Sequence, residues 1–311
     1  MSNVLASLDV WIWLTLAASL LQAIRTAGQK ELTSKVSVLA GTYVRALLGL
    51  PVMLVYLGLV KAISGAPWPG LSAKFFVYAL ITGLTQIAAT IALLSLYQLR
   101  NFAVANQLGK SDMIFTAILG SLFFGQMLSV AAWIALFVTG CGVGVIMMAK
   151  TAASRQASAA WHVMFSEQSV RIGLFVGLMF GLCNLALREA ALSLAPATGF
   201  MAGAVTVTAV TALQAIIMCV YLAKREPGAL KAIGSAFPLA SFVGVTSALG
   251  SIGWFTAFAM TTAAHVRIVG QIEVIFTLLI SAFYFRERIT RMEGTGIALT
   301  VAGILLLQVV V

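Results

Sequence analysis

Residues 106–117 read NQLGKSDMIFTA and residues 267–278 read RIVGQIEVIFTL. Laid over one another without a gap, they share Gly109 with Gly270, an acid at Asp112 and Glu273, and the block Ile114-Phe115-Thr116 against Ile275-Phe276-Thr277. The offset of 161 residues (270 − 109) also carries Phe76 onto Phe237, Gly83 onto Gly244, Thr85 onto Thr246, Ile91 onto Ile252, Phe124 onto Phe285, Thr139 onto Thr300 and Gly142 onto Gly303. The chain therefore reads as two copies of one unit, and whatever fold the first adopts the second must adopt as well.

What that unit is follows from composition. Of the 311 residues, 61% are apolar and only 9% charged, against roughly half and a quarter in a soluble domain. With a mean hydropathy of +1.04, the apolar residues come as long runs, which excludes soluble enzyme folds and predicts an all-α membrane protein. Runs long enough to cross a bilayer occur at about 10–29, 37–60, 74–98, 102–125, 129–149, 169–194, 198–223, 237–260, 263–285 and 292–311. They fall five to each copy. Because five is odd, the second copy enters the membrane from the opposite side, which predicts ten transmembrane helices as two inverted five-helix repeats. The polar, Ala- and Ser-rich stretch 151–168 divides them, giving a first repeat over 1–150, a linker, and a second repeat over 169–311. Residues 1–9 lack a basic segment before the first apolar run, so that run is expected to remain as a helix.

Several classes of function lose support at this level. The 19 Lys and Arg against 9 Asp and Glu give a charge of +10, which in a polytopic chain reflects cytoplasmic loops facing anionic lipid and not a nucleic acid. Cys141, Cys183 and Cys219 stand alone in apolar surroundings and read as packing residues, with no ligand spacing for a metal. There is no phosphate-binding GxxxxGK[ST] loop, no HExxH and no length left for an ATP-hydrolysing domain, so no cofactor is expected.

The two copies, with their fourth helices running into FFGQMLS (123–129) and YFRERIT (284–290) and followed by the Gly-rich GCGVG (140–144) and GTGIALTVAG (294–303), resemble the EamA-type members of the drug/metabolite transporter superfamily. The resemblance covers nearly the whole chain. The Gly-Glu turn common in that family survives only in part, as Gly125-Gln126 and Arg286-Glu287. It implies secondary transport of a small-molecule solute across a bacterial inner membrane and leaves the solute open, since such families carry many. It also implies cytoplasmic termini. The excess of Lys and Arg in the odd-numbered connections, from Lys30 and Lys35 to Arg286, Arg288 and Arg291, places the termini outside by the positive-inside rule, and the two indications disagree.

Ionisable groups inside such helices cost about 2.5–3.5 kcal/mol each unless paired or hydrated, so they mark the candidate site. Asp112 and Glu273 lie about ten residues into their helices, roughly 15 Å deep at 1.5 Å per residue. On the same helices Asn106 and Lys110 are four apart and so on one face, as are their counterparts Arg267 and Gln271. Tyr78, Thr82 and Gln86 form a polar stripe on the third span, answered by Ser251 and Trp254 on the eighth. Arg25 and Arg188 add guanidiniums that suit a carboxylate or phosphate. Arg45 in the second span is a further candidate; Gln22 shares the first span with Arg25, and Asn184 the sixth with Arg188. The expected substrate site is thus Arg25, Tyr78, Thr82, Gln86, Asn106, Lys110, Asp112, Arg188, Ser251, Trp254, Arg267, Gln271 and Glu273. In it Lys110, Arg25 and Arg188 receive an anionic group, and Asp112 with Glu273 bind an amino group, a proton or the internal cations, which leaves room for proton coupling. The double GxxxG of Gly173, Gly177 and Gly181 reads as packing within a monomer, with a homodimer interface as the alternative. The function read from these residues is export of an amino-acid-like or carboxylate-bearing metabolite. Efflux of lipophilic cations is the alternative within transport, and a non-transporting membrane receptor or scaffold is the one outside it.

Overall fold

A computed structural model describes residues 9–99, 109–125, 127–153, 168–284 and 290–310. Among them every regular element is helical: α1 (Val10–Leu32), α2 (Val38–Ser64), α3 (Ala73–Leu99), a 3₁₀ turn (Gly109–Ser111) leading into α4 (Asp112–Phe123), and α5 (Val130–Ala153) in the first repeat. The second has α6 (Gln168–Leu192), α7 (Gly199–Arg225), a short α8 (Ala229–Ser235), α9 (Phe237–Met260), α10 (Ala263–Gly270), α11 (Ile272–Phe283) and α12 (Arg291–Val310). Among the described residues seven segments are long and apolar enough to cross a membrane: α1, α2, α3, α6, α7, α9 and Ala263–Ile280. Val130–Gly142 and Gly294–Leu306, inside α5 and α12, are shorter apolar stretches.

Local chemistry begins matching helices at matching positions. The hydroxyl of Ser37 accepts from the Ala40 amide at 3.1 Å and that of Thr198 from the Met201 amide at 3.3 Å, so α2 and α7 open with equivalent N-caps. Since 198 − 37 is again 161, the register seen in the third to fifth spans reaches back to the second.

Packing is reciprocal between the repeats, as a twofold axis requires. A methyl group placed on Gly142 would meet Thr300, and one placed on Gly303 would meet Thr139. Gly49 likewise sits 3.5 Å from the Gly244 carbonyl as seen from its missing Cβ, while Gly83 approaches the Val210 carbonyl at 4.0 Å. α1 packs on α9 of the other repeat and α3 on α6. Lipid is as apolar as leucine and cannot drive helices together, so close approach through small residues supplies the attraction. The outward faces keep their apolar residues exposed, Leu54, Val55, Leu59 and Ile63 on α2 among them.

The ninth span, expected as one helix over 263–285, is broken. α10 ends at Gly270, the Gln271 amide bonds back to Ile268 at 3.1 Å, and α11 starts at Ile272. In the first repeat the 3₁₀ turn precedes α4 at the equivalent place. The glycines explain where the break falls. A Cβ on Gly270 would run into the Trp254 ring, and one on Gly109 would stand 3.1 Å from Val176. Each break puts an acid, Asp112 or Glu273, in the first turn of the following helix, where the unpaired amides and the helix dipole favour negative charge.

Candidate functional site

Between the repeats lies a cavity of about 60 Å³, walled by α1, α2, α3, α6, α9, the 3₁₀ turn with the start of α4, and α10 with the start of α11. That is room for on the order of five waters, at roughly 10–15 Å³ each. Gln22, Arg25, Arg45, Gln86, Lys110, Asp112, Asn184, Ser251, Trp254, Arg267 and Glu273 supply its polar lining, and Phe180, Phe255 and Phe258 its apolar walls. Several lining residues are partners in the 161-residue register: Gln22 with Cys183, Thr26 with Leu187, Leu93 with Trp254, and Asp112 with Glu273. The cavity therefore straddles the pseudo-twofold axis.

Two ion pairs cross it. Lys110 Nζ of the first repeat lies 2.7 Å from Glu273 Oε2 of the second, with both side chains buried. Arg267 of the second repeat pairs with Asp112 of the first, also buried. Neither acid pairs with the base of its own copy: Lys110, two residues before Asp112, and Arg267, six before Glu273, each reach across to the other repeat. Arg267, which from sequence alone is only a turn inside its span, does not reach back to the interface: it is 6% exposed and its guanidinium lies over the Trp254 ring at 5.0 Å, a cation–π contact strengthened by exclusion of water.

Gln22 ties these groups together. Its Nε2 donates to Glu273 Oε2 at 3.0 Å and its Oε1 accepts from Trp254 Nε1 at 3.0 Å, so the amide is oriented by both neighbours. Trp254 also stacks on Phe258, centroids 6.1 Å apart. Arg45 donates from Nε to Ser247 at 3.0 Å and from Nη1 to Thr90 at 2.6 Å. Gln86 accepts from Gln214 at 2.7 Å, and Asn184 donates to Thr116 at 3.2 Å. On the lining, Arg25 Nε, Asp112 Oδ1 and Arg267 Nε are buried atoms with no hydrogen-bond partner.

Of the thirteen residues singled out from sequence, Arg25, Gln86, Lys110, Asp112, Ser251, Trp254, Arg267 and Glu273 meet at the cavity. Asn106 lies outside the described residues. Four do not line it. Thr82 is fully buried and its hydroxyl donates to the Tyr78 carbonyl of its own helix. The Tyr78 ring lies under Lys74, 5.7 Å from its ammonium, and 6.4 Å from Phe124. Arg188 Nε donates to the Thr261 carbonyl at 2.7 Å, while its neighbour Glu189 faces Lys74 at 3.4 Å. Gln271 Nε2 donates to the Arg267 carbonyl at 3.3 Å, closing the break from behind. The stripe on α3 thus splits: over two helical turns its face rotates from the cavity at Gln86 to helix packing at Tyr78. Gln22, Arg45 and Asn184 line the cavity as well. Extending the repeat register to the first span, where Gln22 meets Cys183, was the signal available for Gln22. Gly177 and Gly181 press on Ser111–Asp112 and Phe115–Thr116, so the glycine face of α6 is used inside the chain. Among the described residues no group of three or more His, Cys, Asp or Glu could hold a metal.

No curated protein matches the chain significantly. One solved crystal structure of a protein superposes with a TM-score of 0.70 at 14% identity, covering 97% of this chain and 97% of that one, a likeness of fold. The family model described as EamA-like transporter family matches twice, over residues 9–148 and 170–309. With both repeats matched, the chain belongs to the EamA-like transporter family, membrane transporters of the drug/metabolite superfamily.

Proposed function

We propose that this protein is a secondary transporter that exports a small, carboxylate-bearing or amino-acid-like metabolite by alternating access across a bacterial inner membrane. In this reading the chain crosses ten times, as two inverted five-helix repeats over 1–150 and 169–311 joined by the linker 151–168. The observation that carries it is a cavity on the pseudo-twofold axis whose two ion pairs each join one repeat to the other. Such an arrangement can open to either side with little change inside each repeat. Arg25 and Arg45 face the solute's anionic group, and Asp112 and Glu273 hold Lys110 and Arg267 or exchange them for an amino group or a proton. Use of Gly177 and Gly181 inside the chain favours a monomer as the working unit.

Counterflow in proteoliposomes tests it. Labelled amino acids or carboxylates are expected to exchange and quaternary amines are not; the reverse result would turn the reading into drug efflux. Rates and pH dependence left untouched in both Asp112→Asn and Glu273→Gln would remove those acids from the transport cycle.

A further inference from the structure

The cavity holds more positive charge than its own acids can neutralise. Its lining contains four bases, Arg25, Arg45, Lys110 and Arg267, against two acids, Asp112 and Glu273. The acids are committed: Asp112 to Arg267, and Glu273 to Lys110 and Gln22. Four less two leaves two guanidiniums. Arg45 has only the hydroxyls of Ser247 and Thr90 as the partners just described. Arg25 is 5% exposed, and its Nε has no hydrogen-bond partner. The carboxylate whose field reaches Arg25 is Glu273, which is already closed by an ammonium and an amide. The two guanidiniums also act on each other as like charges. Among the described residues, Glu189 is paired with Lys74, and Glu226 accepts from the Ser37 hydroxyl.

A guanidinium held in a dry interior without a counter-anion is among the costliest groups a membrane protein can carry. Two of them, on α1 and α2 of one repeat and lining one cavity, repel until something negative sits between. Each can offer two parallel N–H donors to a pair of oxygens.

We infer that the cavity is built for a solute bearing two negative charges on a small frame, a dicarboxylate or a phosphate dianion, received jointly by Arg25 and Arg45. A zwitterion with one carboxylate would leave one guanidinium unanswered. A cation would add to the repulsion, which separates this solute class from drug cations. Gln86, Asn184 and Ser251, also on the lining, supply neutral hydrogen bonds to the rest of the frame. The inference rests on the transporter reading above and narrows its solute.

Its test uses purified full-length protein, first in detergent and then in proteoliposomes, with succinate, inorganic phosphate, L-alanine and choline at matched ionic strength. Succinate or phosphate is expected to raise the Tm, and its labelled form to counterflow at least about tenfold faster than alanine; which of the two acts identifies the dianion. Arg25→Gln and Arg45→Gln are each expected to abolish that preference, and Arg25→Lys to keep part of it, since an ammonium retains the charge and loses the paired donors. Wild-type selectivity decides the matter even if a variant fails to fold. Alanine matching or exceeding both dianions overturns the inference and leaves the carrier standing. A dianion preference that survives in folded Arg25→Gln and Arg45→Gln overturns it as well. Silence from all four solutes in counterflow overturns the inference together with the carrier reading.

Discussion

The stretches that open α4 and α11 share a glycine and an acid at matching positions and differ in their other charges. In the first repeat the base stands two residues before the acid, Lys110 before Asp112; in the second it stands six before, Arg267 before Glu273. The register positions so vacated hold Gln271 and Asn106. The acids obey the twofold symmetry and the bases do not. Each acid is nevertheless paired, because the axis brings the other repeat's base to it. Glycines and helix starts thus conserve the frame, while the choice of basic position decides which repeat supplies the cation. The glycines differ in one respect: Gly270 is pressed by Trp254, whereas Gly109 stands 3.9 Å from Leu93, the register partner of that tryptophan. The second break is the tighter one.

The largest effect should come from breaking one crossed pair. Glu273→Gln leaves Lys110 charged and buried, and should cost about 3–5 kcal/mol by the measured behaviour of half-removed buried pairs. Removing both partners in Lys110→Met with Glu273→Gln should return most of it, read as Tm in detergent. A single variant as stable as wild type would show that Lys110 finds water or another acid, and would dissolve the comparison.

Next come the reciprocal glycines of α5 and α12. A Cβ on Gly142 would lie 2.6 Å from the Thr300 nitrogen and one on Gly303 would lie 2.7 Å from the Thr139 nitrogen. Backbone cannot step aside as a side chain can. Gly142→Ala and Gly303→Ala should therefore each destabilise by about 1–3 kcal/mol, the usual range for overpacking, and by nearly equal amounts. Gly144→Ala, with open space around it, serves as the control. Unequal losses would argue that the axis does not pass between these helices.

Smaller again is the difference between the breaks. Gly270→Ala must displace the Trp254 ring, and with it the Gln22 bridge to Glu273; Gly109→Ala must move only Val176. Transport should fall further in the first, about tenfold if one buried hydrogen bond of about 1.5 kcal/mol is lost. Equal losses would mean that the tryptophan does not hold the second break. The least effect is expected from Arg188→Gln. It gives up a bond to the Thr261 carbonyl outside the cavity and should cost about 1 kcal/mol of stability with no change in solute preference; altered preference would return Arg188 to the site.

The helical class and the repeat were legible in the sequence, because bilayer thickness and the absence of water impose long apolar segments on any chain that crosses, and a gapless register survives in residues as plain as Gly109 and Gly270. The acids were legible too, since few charges are tolerated at that depth and Asp112 and Glu273 stand out against their surroundings. The breaks at Gly109–Ser111 and Gln271 were not, as polar residues in an apolar run read equally well as one continuous helix with a polar face. Nor was the fate of Tyr78, Thr82 and Arg188. Helical periodicity says which residues share a face, and only the neighbours say whether that face meets a cavity, another helix or lipid. By itself, then, the sequence determined that two like units bury ionisable groups in a membrane-spanning frame. The tertiary structure decided which base answers which acid and which guanidiniums are left over, because pairing depends on distances across an axis that no single segment contains.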